Sequence, residues 1–133
     1  ALPFGQLPIL EVDGVVIPQS SAQLRYVGKI GGFYPTDPIQ AAFCDAAADA
    51  VEDITDSMRG ALYEKDPEKK IKIRRDLAEE IIPTWLANLE KVLDSAGGLY
   101  FAGGQLSTGD IAVVARLNWL KAGSLEGTPP TVV

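Results

Sequence analysis

The sequence predicts an α+β chain in two unequal parts, a β-hairpin with one short helix and then helices only. Three observations carry that reading. Asp13-Gly14, the strongest two-residue hairpin signal, separates two short β-rich runs, Pro8–Val12 and Val15–Ile17. Gly31-Gly32 closes a helical pattern as a C-cap does. From Ile39 onward the composition turns alanine-rich, and apolar residues recur every three or four positions.

Taken in order, Pro8 opens the first strand without donating a ladder hydrogen bond, which leaves the backbone of Leu7 free for a ligand. Ser20 or Ser21 is expected to cap a helix through Leu24, Val27 and Ile30, and its first N–H groups suit a carboxylate. Independent sheets usually need about three strands, so further sheet is expected before Ala1.

The linker Phe33-Tyr34-Pro35-Thr36-Asp37-Pro38 ends with Asp37 as N-cap and Pro38 in the first helical position. The helix it launches carries an apolar stripe of Phe43, Ala47, Ala50, Val51, Ile54, Met58 and Leu62. Asp45, Asp49, Glu52, Asp53 and Asp56 form an acidic ridge within a wedge of about 100°. Such a ridge is either solvated surface or the partner of a cation, a ligand ammonium or a divalent metal.

Asp66-Pro67-Glu68 repeats the cap-then-proline signature before a long helix with Ile73, Leu77, Ile81, Trp85, Leu89 and Leu93 on one stripe. Pro83 lies inside it and removes the helical partner of the Glu79 carbonyl, so a bend is expected there. The pattern stops at Ser95-Ala96-Gly97-Gly98. Ser107-Thr108-Gly109-Asp110 then reads as a capping box, with Leu106 placed for a hydrophobic staple, ahead of a buried helix through Trp119. Thr128-Pro129-Pro130 reads as a turn.

Composition narrows the chemistry. At 133 residues, 47% hydrophobic and 23% charged, the chain is globular. Twelve basic against eighteen acidic residues give a net charge of −6, with no basic cluster dense enough to follow a phosphate backbone, so nucleic acid is not an expected partner. The absence of histidine removes Ser-His, Cys-His and His-metal constellations, and the single Cys44 removes an intrachain disulfide. No segment reads as a membrane span or signal peptide, so a cytosolic location is expected.

The ordered set Phe4-Gly5-Gln6-Leu7-Pro8, Gln19-Ser20, Gly32-Phe33-Tyr34-Pro35, Ala50-Val51-Glu52-Asp53-Ile54 and Ser107-Thr108-Gly109-Asp110 resembles the cytosolic glutathione transferases, closest to the pi, sigma and related classes. The resemblance spans essentially the whole chain. It implies a thioredoxin-like N-terminal domain joined to an all-α helical bundle. Residues 1–33 would be the C-terminal half of the first domain, its opening strand, helix and strand preceding Ala1. Residues 37–133 would be the α-helical domain, truncated before the last family helices.

The resemblance also implies a site. The peptide before Pro8 would be cis, and the backbone of Leu7 would pair with the cysteinyl part of glutathione. Gln6, Leu7, Pro8, Gln19 and Ser20 would bind glutathione, joined by Asp53 from the neighbouring subunit of a homodimer. Phe4 would be an aromatic key at the dimer interface, the alternative being an ordinary core residue. Arg59 and Tyr63 would face the electrophile, with Met58 and Leu62 in the core, and no metal is expected at Asp49, Glu52 and Asp53.

The implied activity is that of a glutathione transferase, which adds the thiolate of glutathione, as co-substrate, to small hydrophobic electrophiles. No catalytic residue is expected in this chain, because the family's thiol-activating Tyr, Ser or Cys would precede it, and the chain alone would be inactive. Tyr26, Tyr34, Tyr63 and Tyr100 do not match that position, and Cys44 reads as a small core residue. Alternatives are a glutathione-dependent isomerase of the prostaglandin-synthase type and a non-catalytic relative such as a crystallin-like structural protein or a translation-factor assembly module. An intact clamp of Gln6, Gln19, Ser20 and Asp53 argues against the non-catalytic ones.

Overall fold

The computed structural model describes residues 2–123, so the Thr128-Pro129-Pro130 turn lies outside the described residues. Strands β1 (Ile9–Val12) and β2 (Val15–Pro18) pair antiparallel, with Val12 opposite Val15 and Ile9 opposite Pro18. Asp13 and Gly14 both take positive φ, 50° and 79°, as a tight hairpin turn with right-handed strand twist requires. Helix α1 (Ser20–Gly31) follows, and Gly32 at φ 76° ends it in the left-handed region.

The rest is helical. Helix α2 (Pro38–Tyr63) starts where Asp37 accepts hydrogen bonds from the amides of Ile39 and Gln40 at 3.1 and 2.9 Å. Helix α3 (Pro67–Asp76) is capped in the same way by Asp66, and α4 (Ile82–Ser95) and α5 (Thr108–Lys121) complete the bundle. The capping box at α5 forms. Asp110 accepts from the Ser107 amide and hydroxyl at 2.7 and 2.5 Å and from the Phe101 amide at 2.9 Å, all out of water.

Between α3 and α4 the chain does not simply bend. Residues Leu77–Ile81 form a π-helical turn, in which the Ile82 amide donates to the Leu77 carbonyl, five residues back. Pro83 has no N–H to continue the ordinary ladder, and the wider turn accommodates that gap. One extra residue in the turn shifts the helical phase. Ile82 is therefore fully buried beside Leu77, whereas Ile81 of the predicted stripe is exposed.

The core has two adjoining parts. One gathers Ile54, Met58, Ala61, Leu77, Ile82 and Leu120, and the other Ala47, Val51, Leu89, Phe101 and Val113. Along α2 the buried set runs through Cys44, Ala48 and Ala61, so the expected Phe43 and Leu62 face outward instead. Both have larger side chains than Cys44 and Ala61, the neighbours that are buried in their place. A β-carbon on Gly109 would stand 2.5 Å from the Cys44 carbonyl oxygen. Helix α5 is buried along one side only, and Ile111 and Val114 of its apolar run stay exposed. The linker is tied to the start of α5 by the Thr108 amide, which donates to the Phe33 carbonyl at 2.8 Å.

Candidate functional site

A strained residue sits where β2 meets α1. Gln19, the N-cap of α1, has φ 70° and ψ 118° and makes no side-chain capping bond. A non-glycine residue there carries a cost of order 1–3 kcal/mol, which usually marks function. This corrects the expectation that Ser20 or Ser21 is the cap, since both lie inside the first turn. The first helical bond runs from the Gln23 amide to the Gln19 carbonyl at 3.0 Å. Ser20, Ser21 and Ala22 therefore present their N–H groups beyond the helix end.

The Leu7–Pro8 peptide is cis. The Gln23 side-chain amide donates to the Pro8 carbonyl at 3.0 Å and to the Ile17 carbonyl at 2.9 Å, fastening the start of β1 and the end of β2 to α1. A cleft of about 330 Å³ opens on this junction. Gln6, Leu7, Pro8, Gln19 and Ser20 line it, and Phe4 stands at its edge, 64% exposed and so not a core residue.

From α2 the cleft receives Glu52 and Arg59, two turns apart on one helical face. Ser21 completes the lining, its hydroxyl donating to Glu52 Oε1 at 3.2 Å. Arg59 thus stands among the expected glutathione-binding residues, while Tyr63, 78% exposed, lies outside the cleft. Asp53 is exposed on α2 and does not line this chain's own cleft. Glu52 and Ser21 are lining residues that the sequence reading missed. The seven-residue spacing from Glu52 to Arg59 was the available signal.

The acidic ridge finds a cation within its own chain. Arg25 of α1 bonds Asp45 at 2.6 Å and Asp49 at 2.8 Å, and the Tyr34 hydroxyl donates to Asp45 at 2.9 Å. Asp45 is therefore a tie between α1, the linker and α2, not a free surface acid. Its hydrogen bond holds the Arg25 pKa above the ordinary value against the opposing effect of burial. Asp56 pairs with Arg59 at 3.2 Å on the exposed surface. Among the described residues no three acidic or thiol side chains converge as a metal site would require.

Cys44 is fully buried, within 3.2 Å of the Thr108 hydroxyl, and its sulfur accepts from the Gly109 amide at 3.3 Å. That is the setting of a structural residue, away from the cleft. A larger groove of about 540 Å³ lies between Gln40, Phe43, Lys91, Phe101 and Gly103, and it contains none of the expected site residues. Among the described residues no helix is long and apolar enough to cross a membrane.

The chain is similar to known proteins of one family. Residues 52–130 match the family model described as glutathione S-transferase, C-terminal domain. Glutathione S-transferase 1 of Ascaris suum is 34% identical over 121 residues, covering 86% of this chain and 57% of that protein. Hematopoietic prostaglandin D synthase of Gallus gallus is 37% identical over 92 residues, covering 69% and 45%. The structure of prostaglandin synthase D of Nilaparvata lugens superimposes with a TM-score of 0.83 at 32% identity, covering 90% of this chain and 60% of that one. The chain spans about half the length of the curated relatives it matches.

Proposed function

This chain belongs to the glutathione S-transferase family, with part of a thioredoxin-like domain preceding a helical bundle, and from that premise we propose that its cleft binds glutathione. In the whole protein, the bound thiolate is transferred to small hydrophobic electrophiles. The observation that carries the reading is the convergence of Gln6, Leu7, Pro8, Gln19 and Ser20 on one cleft with Arg59 beside them.

Each group has a physical task. The free amides of the first turn of α1, the Ser20 hydroxyl and the helix dipole suit the γ-glutamyl carboxylate. The Leu7 backbone pairs with the cysteinyl unit, and Gln6 and Gln19 supply further polar contacts. Asp53, absent from its own cleft, reaches the γ-glutamyl ammonium of a neighbouring subunit, and Phe4 contributes to the same interface. Residues 1–33 and 37–133 serve as the two domains of a cytosolic homodimer subunit. Arg59, which lines the cleft, and Tyr63, one turn further along α2, are assigned to contact with the electrophile.

A free thiol has a pKa of about 8.5, and lowering it by about two units needs roughly 2.7 kcal/mol of preferential stabilisation of the anion. None of Tyr26, Tyr34, Tyr63 and Tyr100 lines the cleft. This chain is therefore assigned binding and positioning of glutathione, and no residue of it is assigned ionisation of the sulfur. A second reading, glutathione-dependent isomerisation, is favoured by the two relatives named as prostaglandin D synthases. It uses the same cleft with a different electrophile.

Retention on immobilised glutathione tests the clamp. The parent protein is expected to be retained and released by free glutathione, with retention lost in Ser20→Ala and weakened in Asp53→Ala. If both variants bind as tightly as the parent, the residue assignments are wrong. Turnover of glutathione with an activated aryl halide, against isomerisation of a prostaglandin endoperoxide, separates the two enzymatic readings.

A further inference from the structure

Helix α3 carries a charge opposite to that of the molecule around it. Lys65, Lys69, Lys70, Lys72, Arg74 and Arg75 are half of the chain's twelve basic residues, and the same stretch holds only two acids, Asp66 and Glu68. Of the chain's twelve basic and eighteen acidic residues, the remainder holds six and sixteen. Lys65, Lys69, Lys72 and Arg75 are exposed. The spacing of three from Lys69 to Lys72 to Arg75 puts them on one side of the helix, with Ile71, 69% exposed, among them.

The acids nearby do little to neutralise these cations. Glu64 accepts from the Lys65 and Asp66 amides at 2.7 and 2.9 Å, and Asp66 from the Glu68 and Lys69 amides at 3.0 and 3.3 Å. Lys72 pairs with Asp76 at 2.9 Å, whereas Lys65, Lys69 and Arg75 belong to none of the ion pairs found among the described residues. Glu68 also lies on this side, and the face remains positive.

The opposite side of α3 is already in use. Ile73 packs on the core with Met58 and Ala61, and Leu77 one turn on is fully buried. A protein partner that grips an amphipathic helix by its apolar face therefore has nothing to hold. At ten residues the helix is only about 15 Å long, short for following a phosphate backbone. A lipid surface asks for what α3 offers, long side chains with charged ends around an apolar residue that enters between headgroups. The acidic remainder of the molecule is repelled by an anionic surface, so approach is oriented with α3 leading. Helix α3 lines neither the glutathione cleft nor the larger groove.

We propose that the exposed side of α3, with Lys65 just before it, binds an anionic lipid surface. Lys65, Lys69, Lys72 and Arg75 meet the headgroup anions, and Ile71 enters among them. This surface is independent of the glutathione reading.

Sedimentation with vesicles of phosphatidylcholine alone, and of about three parts phosphatidylcholine to one of phosphatidylserine, tests it. Binding to the mixed vesicles is expected to be at least about tenfold tighter than to the neutral ones and to weaken as salt rises. The combined variant Lys69→Gln, Lys72→Gln, Arg75→Gln should bind about a hundredfold more weakly, at about fivefold for each cation. The same change of charge at Lys29, Lys91 and Lys121 should weaken binding by less than about fivefold. Ile71→Ser should weaken it by about threefold or more and leave the salt dependence unchanged. Every altered position is exposed, so the variants should melt as the parent does.

Equal binding to both vesicles, binding to neither, or an α3 variant that binds as tightly as the parent overturns the proposal. So does an equal loss in the two triple variants, which would make net charge the cause and not this face. Vesicles left unbound while polyuridylate is bound would overturn it in favour of a nucleic-acid surface.

Discussion

Gln23 donates from its side-chain amide to the Pro8 carbonyl at 3.0 Å, so a residue one turn into α1 holds the backbone at the mouth of the cleft. The second hydrogen of the same amide bonds Ile17, two residues before Gln19. Both rims of the glutathione cleft are thus set from one side chain that does not line it.

Gln23→Leu keeps the approximate volume and removes both bonds. A loss of about 2 kcal/mol in stability is expected, from two carbonyls deprived of partners. Weaker glutathione binding should accompany it. Urea denaturation and a glutathione titration check the pair, and a destabilised variant with undiminished affinity would remove Gln23 from the positioning role.

Gln19 makes a different prediction, because its backbone is strained while its side chain faces the cleft. Gln19→Gly relieves the positive φ and loses the side chain. Stability should hold or rise by about 1 kcal/mol, since the released strain exceeds the added freedom of the unfolded chain. Glutathione affinity should fall. Opposite movement of the two quantities is the signature sought in parallel melting and binding experiments.

Two glycines separate close packing from mere permissiveness. A β-carbon on Gly109 meets the Cys44 carbonyl oxygen at 2.5 Å, and that backbone atom can yield only if α2 moves. Gly109→Ala should cost about 3 kcal/mol. On Gly60 the added carbon meets only Ile73 side-chain atoms at 3.8 Å, an ordinary contact. Gly60→Ala lies within α2 and should stabilise by about 0.5–1 kcal/mol. Thermal unfolding of the two variants should shift in opposite directions.

Tyr34 gives the pH dependence. Burial, and then its hydrogen bond to Asp45, raise the phenol above its ordinary value of 10.0. The folded state holds the proton more tightly than the unfolded chain. Its stabilising contribution is therefore complete below pH 10.0 and is lost as pH rises through the higher folded value. Tyrosinate absorbance should reveal a late-titrating tyrosine that is absent in Tyr34→Phe and titrates earlier in Asp45→Asn.

Features set by neighbouring residues were readable in the sequence. Asp13-Gly14, Asp37-Pro38, Asp66-Pro67 and the Ser107 to Asp110 box each act within a turn, and each forms as expected. The π-turn was not readable, because Pro83 says only that a bond is missing, not how the chain accommodates it. The phase shift is local: Ile82 replaced Ile81 in the core, while Trp85, Leu89 and Leu93 of the expected stripe still pack inward. Phe43 was misplaced because the close approach of Gly109 to Cys44 and Ala47 selects small residues at that end of α2, and Leu62 because the buried line runs through Met58 and Ala61 instead.

The candidate site divides in the same way. The cis Leu7–Pro8 peptide was expected only from the family resemblance, and the local pattern placed the start of α1 correctly to within a residue while missing Gln19 as its cap. Glu52, Ser21, Gln23 and the Arg25 to Asp45 tie depend on how α1 meets α2 and the hairpin, which no single segment encodes.

Glutathione titrated into isotopically labelled protein, followed by amide chemical shifts, tests the central claim most directly. Saturable shifts should appear at Gln6, Leu7, Gln19, Ser20 and Ser21 and be abolished in Ser20→Ala. Shifts confined to Gln40, Phe43 and Gly103, in the larger groove, would contradict it.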